Sequence, residues 1–341
     1  MPNLAAVMPE PGRIEIRDIG EPVPGDRDAV VQLEAVGVCG SDTAYFTVGR
    51  IGDYIVDGPI ILGHECAGKV VAVGPEVTRV KAGDRVAIEP GTPCRDCRDC
   101  MAGRYHLCPD LVFFATPPYD GSLVQRMAID ERQLFPIPDS MSYEEGALCE
   151  PLSVGIWACR RAGLEPGDRV LVTGAGPVGL LAAQVARAFG ASSVTVTDIA
   201  EFRLDMAREL GFEAERAGEG TEADFDVLLE CSGAPAALAD GLWRLRTNGR
   251  AAMVGMPKQD VTLALSRLNV RELTIGLVNR YAHTWPTAIE LVSSGRVDVA
   301  SLVTHRFPLD ETADAIMLAK HVPDSVKAVI APQCARPDAV S

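Results

Sequence analysis

The stretch that decides the fold is Val170–Gly190, which reads VLVTGAGPVGLLAAQVARAFG. Val170–Val172 is a short apolar run, and Gly174–Gly179 (GAGPVG) matches G-x-G-x-x-G directly after it. From Pro177 onward apolar residues recur on one helical face until Gly190, so the stretch predicts a strand, a glycine-rich turn and a helix. The three glycines permit a tight turn, close approach of the backbone to a pyrophosphate, and close packing of helix on strand. A dinucleotide is therefore expected at the start of this helix.

The same alternation continues downstream, with further apolar runs at Val194–Val196, Val227–Leu229, Ala251–Val254 and Leu273–Ile275. Repeating βα units with buried strands predict a doubly wound parallel sheet of the Rossmann type. Asp198 ends the second strand, where its carboxylate can accept hydrogen bonds from a ribose and repel a 2′-phosphate, which favours NAD over NADP. The simpler interpretation is that Asp198 caps the next helix. Arg203 stays open between a contact to adenine and ribose and an ordinary solvated position.

The first 150 residues have a different character. They are rich in Gly and Pro and contain short β-branched runs such as Ala29–Leu33 and Lys69–Val73. This composition predicts an irregular, β-rich domain. The fold class is therefore α/β, with a β-rich domain beside a parallel-sheet domain.

Four cysteines, Cys94, Cys97, Cys100 and Cys108, follow the pattern C-x2-C-x2-C-x7-C. This spacing is typical of a closed tetrahedral thiolate site for structural zinc. The alternative is a pair of disulfides. No apolar signal run opens the sequence, so nothing indicates an oxidising compartment, and we expect zinc and a cytoplasmic location.

Composition limits the class of partner. The chain has 341 residues, enough for two domains, and 47% of them are hydrophobic. The formal net charge of -15 argues against a nucleic-acid or anionic-membrane surface, because those partners require clustered Lys and Arg. The expected partner is a small molecule, with no nucleic acid and no membrane.

Two further motifs bring metal-binding residue types together. Val38–Asp42 (VCGSD) places a thiol beside a hydroxyl, and Gly63–Gly68 (GHECAG) places an imidazole beside a carboxylate. With the four-cysteine lobe and the glycine-rich turn following in this order, the chain resembles the zinc-dependent medium-chain dehydrogenases over nearly its whole length. Within that family it is most similar to sorbitol (L-iditol) and xylitol dehydrogenases. The residues that carry this similarity are Gly49–Gly52, Ala115–Pro118, Glu150–Gly155 and Arg280–Pro286.

The resemblance implies a GroES-like catalytic domain, residues 1–151 and 279–341, and a Rossmann NAD-binding domain, residues 152–278. It implies a catalytic zinc on Cys39, His64 and Glu65, with Glu150 bound directly or through water. Tyr45, Glu150, Arg280 and Tyr281 would hold substrate hydroxyls, and Phe113 or Phe114 would form an apolar wall. We assign to the cofactor Gly174, Gly176, Pro177, Val178, Gly179, Asp198, Arg203, Val254, Gly255, Met256, Asn279 and Arg280.

The expected activity is the zinc-dependent oxidation of a secondary hydroxyl of a polyol to a ketone, with hydride transfer to NAD. Zinc would act as a Lewis acid, and Ser41 would take the hydroxyl proton. One position departs from the family: several members carry a relay histidine where this chain has Ala44, so the proton would leave through water or the ribose.

Two alternatives remain open at this stage. The same chemistry could act on a cyclitol, an aldose or amino alcohol, or a simple secondary alcohol. A more distant alternative is a catalytically silent, zinc-stabilised nucleotide-binding protein. The family resemblance also implies a homo-oligomer, a tetramer or a dimer, joined through the nucleotide domain.

Overall fold

The structure, a computed structural model, describes residues 2–221 and 223–334. Its strands are β1 (Leu4–Glu10), β2 (Arg13–Asp18), β3 (Asp28–Gly37), β4 (Arg50–Ile51), β5 (Tyr54–Ile55), β6 (Ile60–Ile61), β7 (Glu65–Val73), β8 (Arg85–Ile88), β9 (Gly91–Thr92), β10 (Val112–Phe113), β11 (Arg126–Asp130), β12 (Leu134–Pro136), β13 (Arg169–Thr173), β14 (Ser193–Asp198), β15 (Glu213–Arg216), β16 (Phe225–Glu230), β17 (Leu245–Met253), β18 (Thr274–Leu277), β19 (Val303–Pro308) and β20 (Lys327–Ala331). Its α-helices are α1 (Gly40–Val48), α2 (Arg98–Met101), α3 (Tyr143–Ala147), α4 (Cys149–Arg161), α5 (Pro177–Ala188), α6 (Glu201–Glu209), α7 (Pro235–Arg244), α8 (Leu265–Leu268), α9 (Trp285–Ser293) and α10 (Thr312–His321).

The chain divides into two compact units. The first comprises Met1–Glu150 and Val299–Ser341, and the second is Pro151–Asp298. Residues 279–298, which we expected in the catalytic domain, cluster with the second unit by contacts. The functional assignment of that segment stays a prediction. None of the helices within the described ranges is long and apolar enough to cross a membrane.

The first unit is built around a sheet in the order β12-β8-β7-β3-β20-β19, with β11 also paired to β3. β3 pairs antiparallel with β7 along one edge, and with β11 and then β20 along the other. A smaller sheet, β2-β1-β6, packs its apolar side chains into the same core cluster. The predicted irregular β-rich domain is confirmed.

The second unit is a six-stranded sheet in the order β15-β14-β13-β16-β17-β18, with every pairing parallel. Val170, Leu171 and Val172 of β13 are all fully buried, as expected for a central strand covered on both faces. The order reverses at β13, so the carboxyl ends of β13 and its neighbours form the crevice where such sheets bind ligands. The predicted doubly wound parallel sheet is confirmed.

Candidate active site and metal centres

The candidate active site lies where β3 ends and β7 begins. Antiparallel pairing sets Gly37, the last residue of β3, opposite Glu65, the first residue of β7. Cys39 follows the end of β3, and His64 precedes Glu65. As a result, one ligand atom from each of Cys39, His64 and Glu65 lies within 4.8 Å of the others. The sheet register therefore brings together the three residues that the two motifs predicted.

Gly37 is required by the position of the Glu65 carboxylate. A Cβ added at Gly37 would lie 2.2 Å from Glu65 Oε2, well inside contact distance. Glu65 is 1% exposed, and its Oε2 is paired with the ammonium of Lys327 at 2.5 Å. A buried carboxylate held in the charged form also suits a metal ligand.

Asp42 ties the two ligand segments together. Its Oδ2 accepts the backbone N–H of Cys39 at 2.8 Å, and its Oδ1 accepts the backbone N–H of Gly63 at 3.0 Å. The same Oδ1 lies 3.8 Å from His64 Nδ1. Ligating histidines are commonly oriented by such a carboxylate. Sequence reasoning quoted Asp42 within the VCGSD motif but gave it no role, although its place three residues after a ligand was an available signal.

The electrostatics of the cluster favour a cation. Burial opposes a positive charge on His64, but the hydrogen bond to Cys39 and the charges of Asp42, Cys39 and Glu150 outweigh it and raise the pKa of His64 to about 10. Glu150 thus belongs to the same electrostatic environment, and its contact with zinc stays a prediction. A site that attracts a proton this strongly also suits a divalent ion, so the residues present fit a catalytic zinc.

Lys327 is a residue of this site that the sequence did not reveal. It begins β20, is 3% exposed, and its ammonium donates to Glu65 Oε1 at 2.7 Å and to the Val38 carbonyl at 2.8 Å. Burial opposes its charge, but the charges of Glu65, Cys39 and Glu150 and the hydrogen bond to Glu65 together outweigh burial, so the pKa of Lys327 is raised. It stands 262 residues after Glu65, and no motif marks it.

The four-cysteine lobe has the geometry of a second metal site. The sulfur atoms of Cys94, Cys97, Cys100 and Cys108 lie within 4.8 Å of one another, and Cys94 Sγ is 3.9 Å from Cys100 Sγ. Tetrahedral zinc with bonds of about 2.3 Å separates its sulfurs by about 3.8 Å. All ten cysteines are free thiols, so the disulfide alternative is not supported. Backbone N–H groups of Asp96 and Cys97 lower the pKa of Cys94 to about 7, which favours a thiolate ligand.

The glycine-rich turn joins β13 to α5 as expected from the sequence. Gly174 has φ +92°, a conformation that favours glycine. A Cβ at Gly179 would lie 1.8 Å from the Gly174 carbonyl oxygen, whereas a Cβ at Gly176 would meet nothing within 4 Å. Gly176 is the N-cap of α5, so it borders open space at the start of a helix. That open cradle fits a pyrophosphate.

Asp198 holds this turn to the end of β14. Its Oδ2 accepts the backbone N–H of Ala175 at 2.7 Å, and its Oδ1 accepts that of Ala200, the N-cap of α6, at 2.9 Å. The simpler interpretation, that Asp198 caps α6, is not supported, because the N-cap of α6 is Ala200 and no side chain caps the helix. Each carboxylate oxygen keeps a second lone pair for a ribose hydroxyl, so the cofactor role stays a prediction. Arg203 lies in α6, half-buried, and its Nε has no hydrogen-bond partner among the residues described.

Comparison with known proteins decides the family. Residues 25–139 match the alcohol dehydrogenase GroES-like domain, and residues 177–294 match the zinc-binding dehydrogenase domain. The chain is 44% identical over 324 residues to sorbitol dehydrogenase of Bacillus subtilis, covering 92% of each protein. The chain belongs to the zinc-binding medium-chain dehydrogenases. It is also 42% identical to human sorbitol dehydrogenase, over 92% of this chain and 91% of that one.

A solved member has the same fold throughout. An oxidoreductase/dehydrogenase of unknown specificity from Escherichia coli superimposes with a TM-score of 0.92 at 36% identity, over 97% of this chain and 99% of that one. In this zinc-binding dehydrogenase the two groups of metal ligands are therefore the catalytic set, Cys39, His64 and Glu65, and the structural set of four cysteines.

The other predicted residues of the first unit occupy the following positions. Glu150, in the first turn of α4, is 5% exposed. The ring of Phe113 lies 5.9 Å from that of His64 at an interplanar angle of 51°, and its role as an apolar wall stays a prediction. Tyr45 is 4% exposed and belongs, with Phe46, to the hydrophobic core cluster. Its contact with substrate stays a prediction. Ser41 lies in the first turn of α1.

The remaining predicted contacts lie in the second unit. Val254 and Gly255 follow β17, and their N–H groups both donate to the carbonyl of Glu230, at 2.8 and 2.9 Å. Met256 is 72% exposed. Asn279 and Arg280 follow β18, where Arg280 has φ +62°. Tyr281 is buried, with its ring 6.2 Å from Trp285 in an edge-on arrangement. Cofactor and substrate contacts by these residues stay predictions.

Proposed function

We propose that this dehydrogenase oxidises a secondary hydroxyl of a polyol of the sorbitol or xylitol kind to a ketone, with hydride transfer to NAD. The observation that carries the proposal is the buried Cys39, His64 and Glu65 cluster in a chain 44% identical to a sorbitol dehydrogenase. The reaction is balanced when the alcohol and NAD⁺ give ketone, NADH and one proton.

Zinc, when bound, supplies a Lewis acid that makes a substrate hydroxyl more acidic. Cys39, His64 and Glu65 supply three ligands, which keeps a coordination position open. Ser41, two residues after Cys39, accepts the hydroxyl proton. Since Ala44 stands at the family's relay position, the proton then passes to water or to the cofactor ribose. Phe113, against His64, excludes solvent from one side.

The preference for a polyol rests on buried polar side chains. Glu150 and Tyr281 are at most 5% exposed, and with Tyr45 and Arg280 they are the groups we assign to substrate hydroxyls. A site built to hydrogen-bond hydroxyls rejects an analogue that lacks them by about 10⁴ or more, because its own polar groups are left unpaired. For the cofactor, Asp198 would place a carboxylate against the 2′-phosphate of NADP, which favours NAD.

The test is a panel of polyols, cyclitols, aldoses, amino alcohols and 2-propanol, each assayed by NADH absorbance with NAD and with NADP. We expect sorbitol- or xylitol-like polyols to exceed 2-propanol in kcat/KM by orders of magnitude, and NAD to exceed NADP. Arg280→Ala should remove most of the polyol advantage. Arg17→Ala, which changes a surface arginine of β2, is the control. Superior turnover of 2-propanol would refute the polyol assignment, and equal use of NAD and NADP would refute the role of Asp198.

We also propose a homo-oligomer joined through the second unit. β18 is the last strand of the parallel sheet, so its outer edge presents unpaired backbone groups. Leu265, Val270 and Leu277, on and beside this edge, are 66%, 79% and 71% exposed. A second copy of the same edge would satisfy the backbone groups and cover these side chains.

A further inference from the structure

Lys327 is buried at the junction of the two ligand-bearing segments. Its ammonium donates to the carboxylate of Glu65, a zinc ligand, and to the carbonyl of Val38, the residue before the ligand Cys39. The position is fixed by the sheet: Val329 and Ile330 of β20 pair antiparallel with Gly37 and Val36 of β3. One buried cation therefore contacts both segments that carry the metal ligands.

A buried ammonium is costly and occurs where it is paired. The pairing partner here is itself needed by the metal, because Glu65 is one of the three residues of the catalytic set. Replacing a buried ion pair with apolar side chains is often neutral or stabilising. A contribution to stability therefore does not explain why a lysine occupies position 327. The effect of its charge on the metal centre explains it better.

The charges can be counted. Zinc carries two positive charges, the Cys39 thiolate and the Glu65 carboxylate each carry one negative charge, and a ligating His64 is neutral. These four groups sum to zero. Asp42 and Glu150 add negative charge around them, since both act on His64. Lys327 is a buried positive charge that contacts the ligand set directly.

We propose that Lys327 is a positioning residue of the zinc centre: it fixes the Glu65 carboxylate against the Val38–Cys39 segment and offsets one anionic ligand, so that the open coordination position favours an anionic ligand. This inference rests on the proposed function, because it requires a metal on Cys39, His64 and Glu65. A unit charge within several ångströms, in a medium of effective dielectric constant near 20, changes the affinity for an anion on the order of tenfold or more.

The test replaces zinc at this centre with Co²⁺ and follows its visible spectrum during titration with azide, an anion, and with imidazole, a neutral ligand. Lys327→Met should weaken azide tenfold or more and leave imidazole within about twofold. Lys327→Arg should keep azide within about threefold. The matched control is Lys69→Met, which removes an exposed lysine from β7 of the same sheet.

Each other outcome has a defined meaning. Equal weakening of azide and imidazole, or unchanged azide affinity in Lys327→Met, would overturn the charge role. If Lys327→Met loses its near-ultraviolet dichroism, Lys327→Gln takes its place in the titration, and loss of fold in both would make the lysine structural and overturn the proposal. A wild-type protein that takes no metal at this centre would instead refute the proposed function itself.

Discussion

At Gly37 a single missing methyl group makes room for a metal ligand. Because a Cβ there would lie 2.2 Å from Glu65 Oε2, Gly37→Ala should displace the carboxylate and lower catalytic zinc affinity and kcat/KM by about 10- to 100-fold. Overpacking should also cost about 1–3 kcal/mol of stability. Metal content after dialysis against a chelator and steady-state kinetics measure both effects.

The control is Gly276→Ala in β18, where a Cβ would meet its nearest neighbour at 3.5 Å, an ordinary contact. Equal zinc retention in Gly37→Ala and wild type would show that the carboxylate can be accommodated elsewhere.

The lowered pKa of Glu131 predicts how the free energy of unfolding changes with pH. Its buried carboxylate accepts the N–H groups of Thr78 and Arg79 and pairs with Arg27, and these contacts lower its pKa to about 2. A depressed pKa means that the carboxylate stabilises the fold above its ordinary value near 4.3, and that this stabilisation disappears as the pH falls toward 2. The stability gap between wild type and Glu131→Gln should therefore be wide at pH 6 and narrow at pH 3. Urea unfolding at both values measures it, and a constant gap would contradict the assignment.

Among individual residues, the sequence predicted those that lie inside a motif. Cys39, His64 and Glu65 are marked by GSD and GHE neighbours, and the structure brings them together. Gly37 and Lys327 were missed because their roles arise from strand pairing, which sets β20 and β7 beside the end of β3. Pairing between distant strands leaves no local pattern.

At the level of elements, the cysteine lobe and the catalytic cluster should respond differently to the loss of a ligand. Cys100→Ala should release the lobe zinc and lower the melting temperature by several degrees, because structural zinc contributes folding free energy. His64→Ala should abolish turnover and release the other zinc with little change in melting. Cys334→Ala, at an exposed thiol, is the control. Two zinc ions per chain are expected in the active protein, and full activity with one would refute the assignment.

The glycine-rich turn offers a second contrast, between two residues of one motif. Gly179→Ala should destabilise the second unit, since its Cβ would lie 1.8 Å from the Gly174 carbonyl oxygen. Gly176→Ala should leave stability nearly unchanged, because a Cβ there meets open space, and should instead weaken NADH binding. Thermal unfolding and NADH fluorescence titration separate the two effects. If Gly176→Ala bound NADH as tightly as wild type, the cradle would lie elsewhere.

Helices and strands with a clear pattern of hydrophobic residues could be predicted from the sequence, whereas very short strands could not. The apolar runs of the second unit became β13, β14, β16, β17 and β18, and GAGPVG opened α5. The two-residue strands β4, β5, β6, β9 and β10 are too short to show a period of hydrophobic residues. They exist because the surrounding backbone supplies their partners.

For the whole molecule, self-association is the most direct prediction. If β18 pairs with a second copy, Leu277→Lys should lower the molecular mass in solution, because an edge lysine disfavours strand pairing. Light scattering coupled to gel filtration measures this. Val23→Lys, which changes an 87% exposed residue of the first unit, should leave the mass unchanged. A wild-type monomer would refute the oligomer.

The division into a β-rich unit and a parallel-sheet unit could be predicted from composition and from the alternation of strands and helices. The clustering of residues 279–298 with the second unit could not be predicted in this way. Those residues contain α9, and Asp298 exchanges hydrogen bonds with Gln184 of α5. Contacts of this kind join segments 114 residues apart, which sequence periodicity cannot show.

Lys327 lies far from Glu65 along the chain, so the two metal centres are completed at different times during synthesis. The four lobe cysteines leave the ribosome almost together, so that lobe can acquire its ion early. The catalytic ligands emerge before it, yet their buried counter-charge follows Glu65 by 262 residues, about half a minute of translation. Until then the carboxylate lacks its ammonium, and the nascent chain holds an anionic, unfinished pocket. The catalytic pocket therefore reaches its final charge only after residue 327 has been made, whereas the lobe has all four of its ligands much earlier.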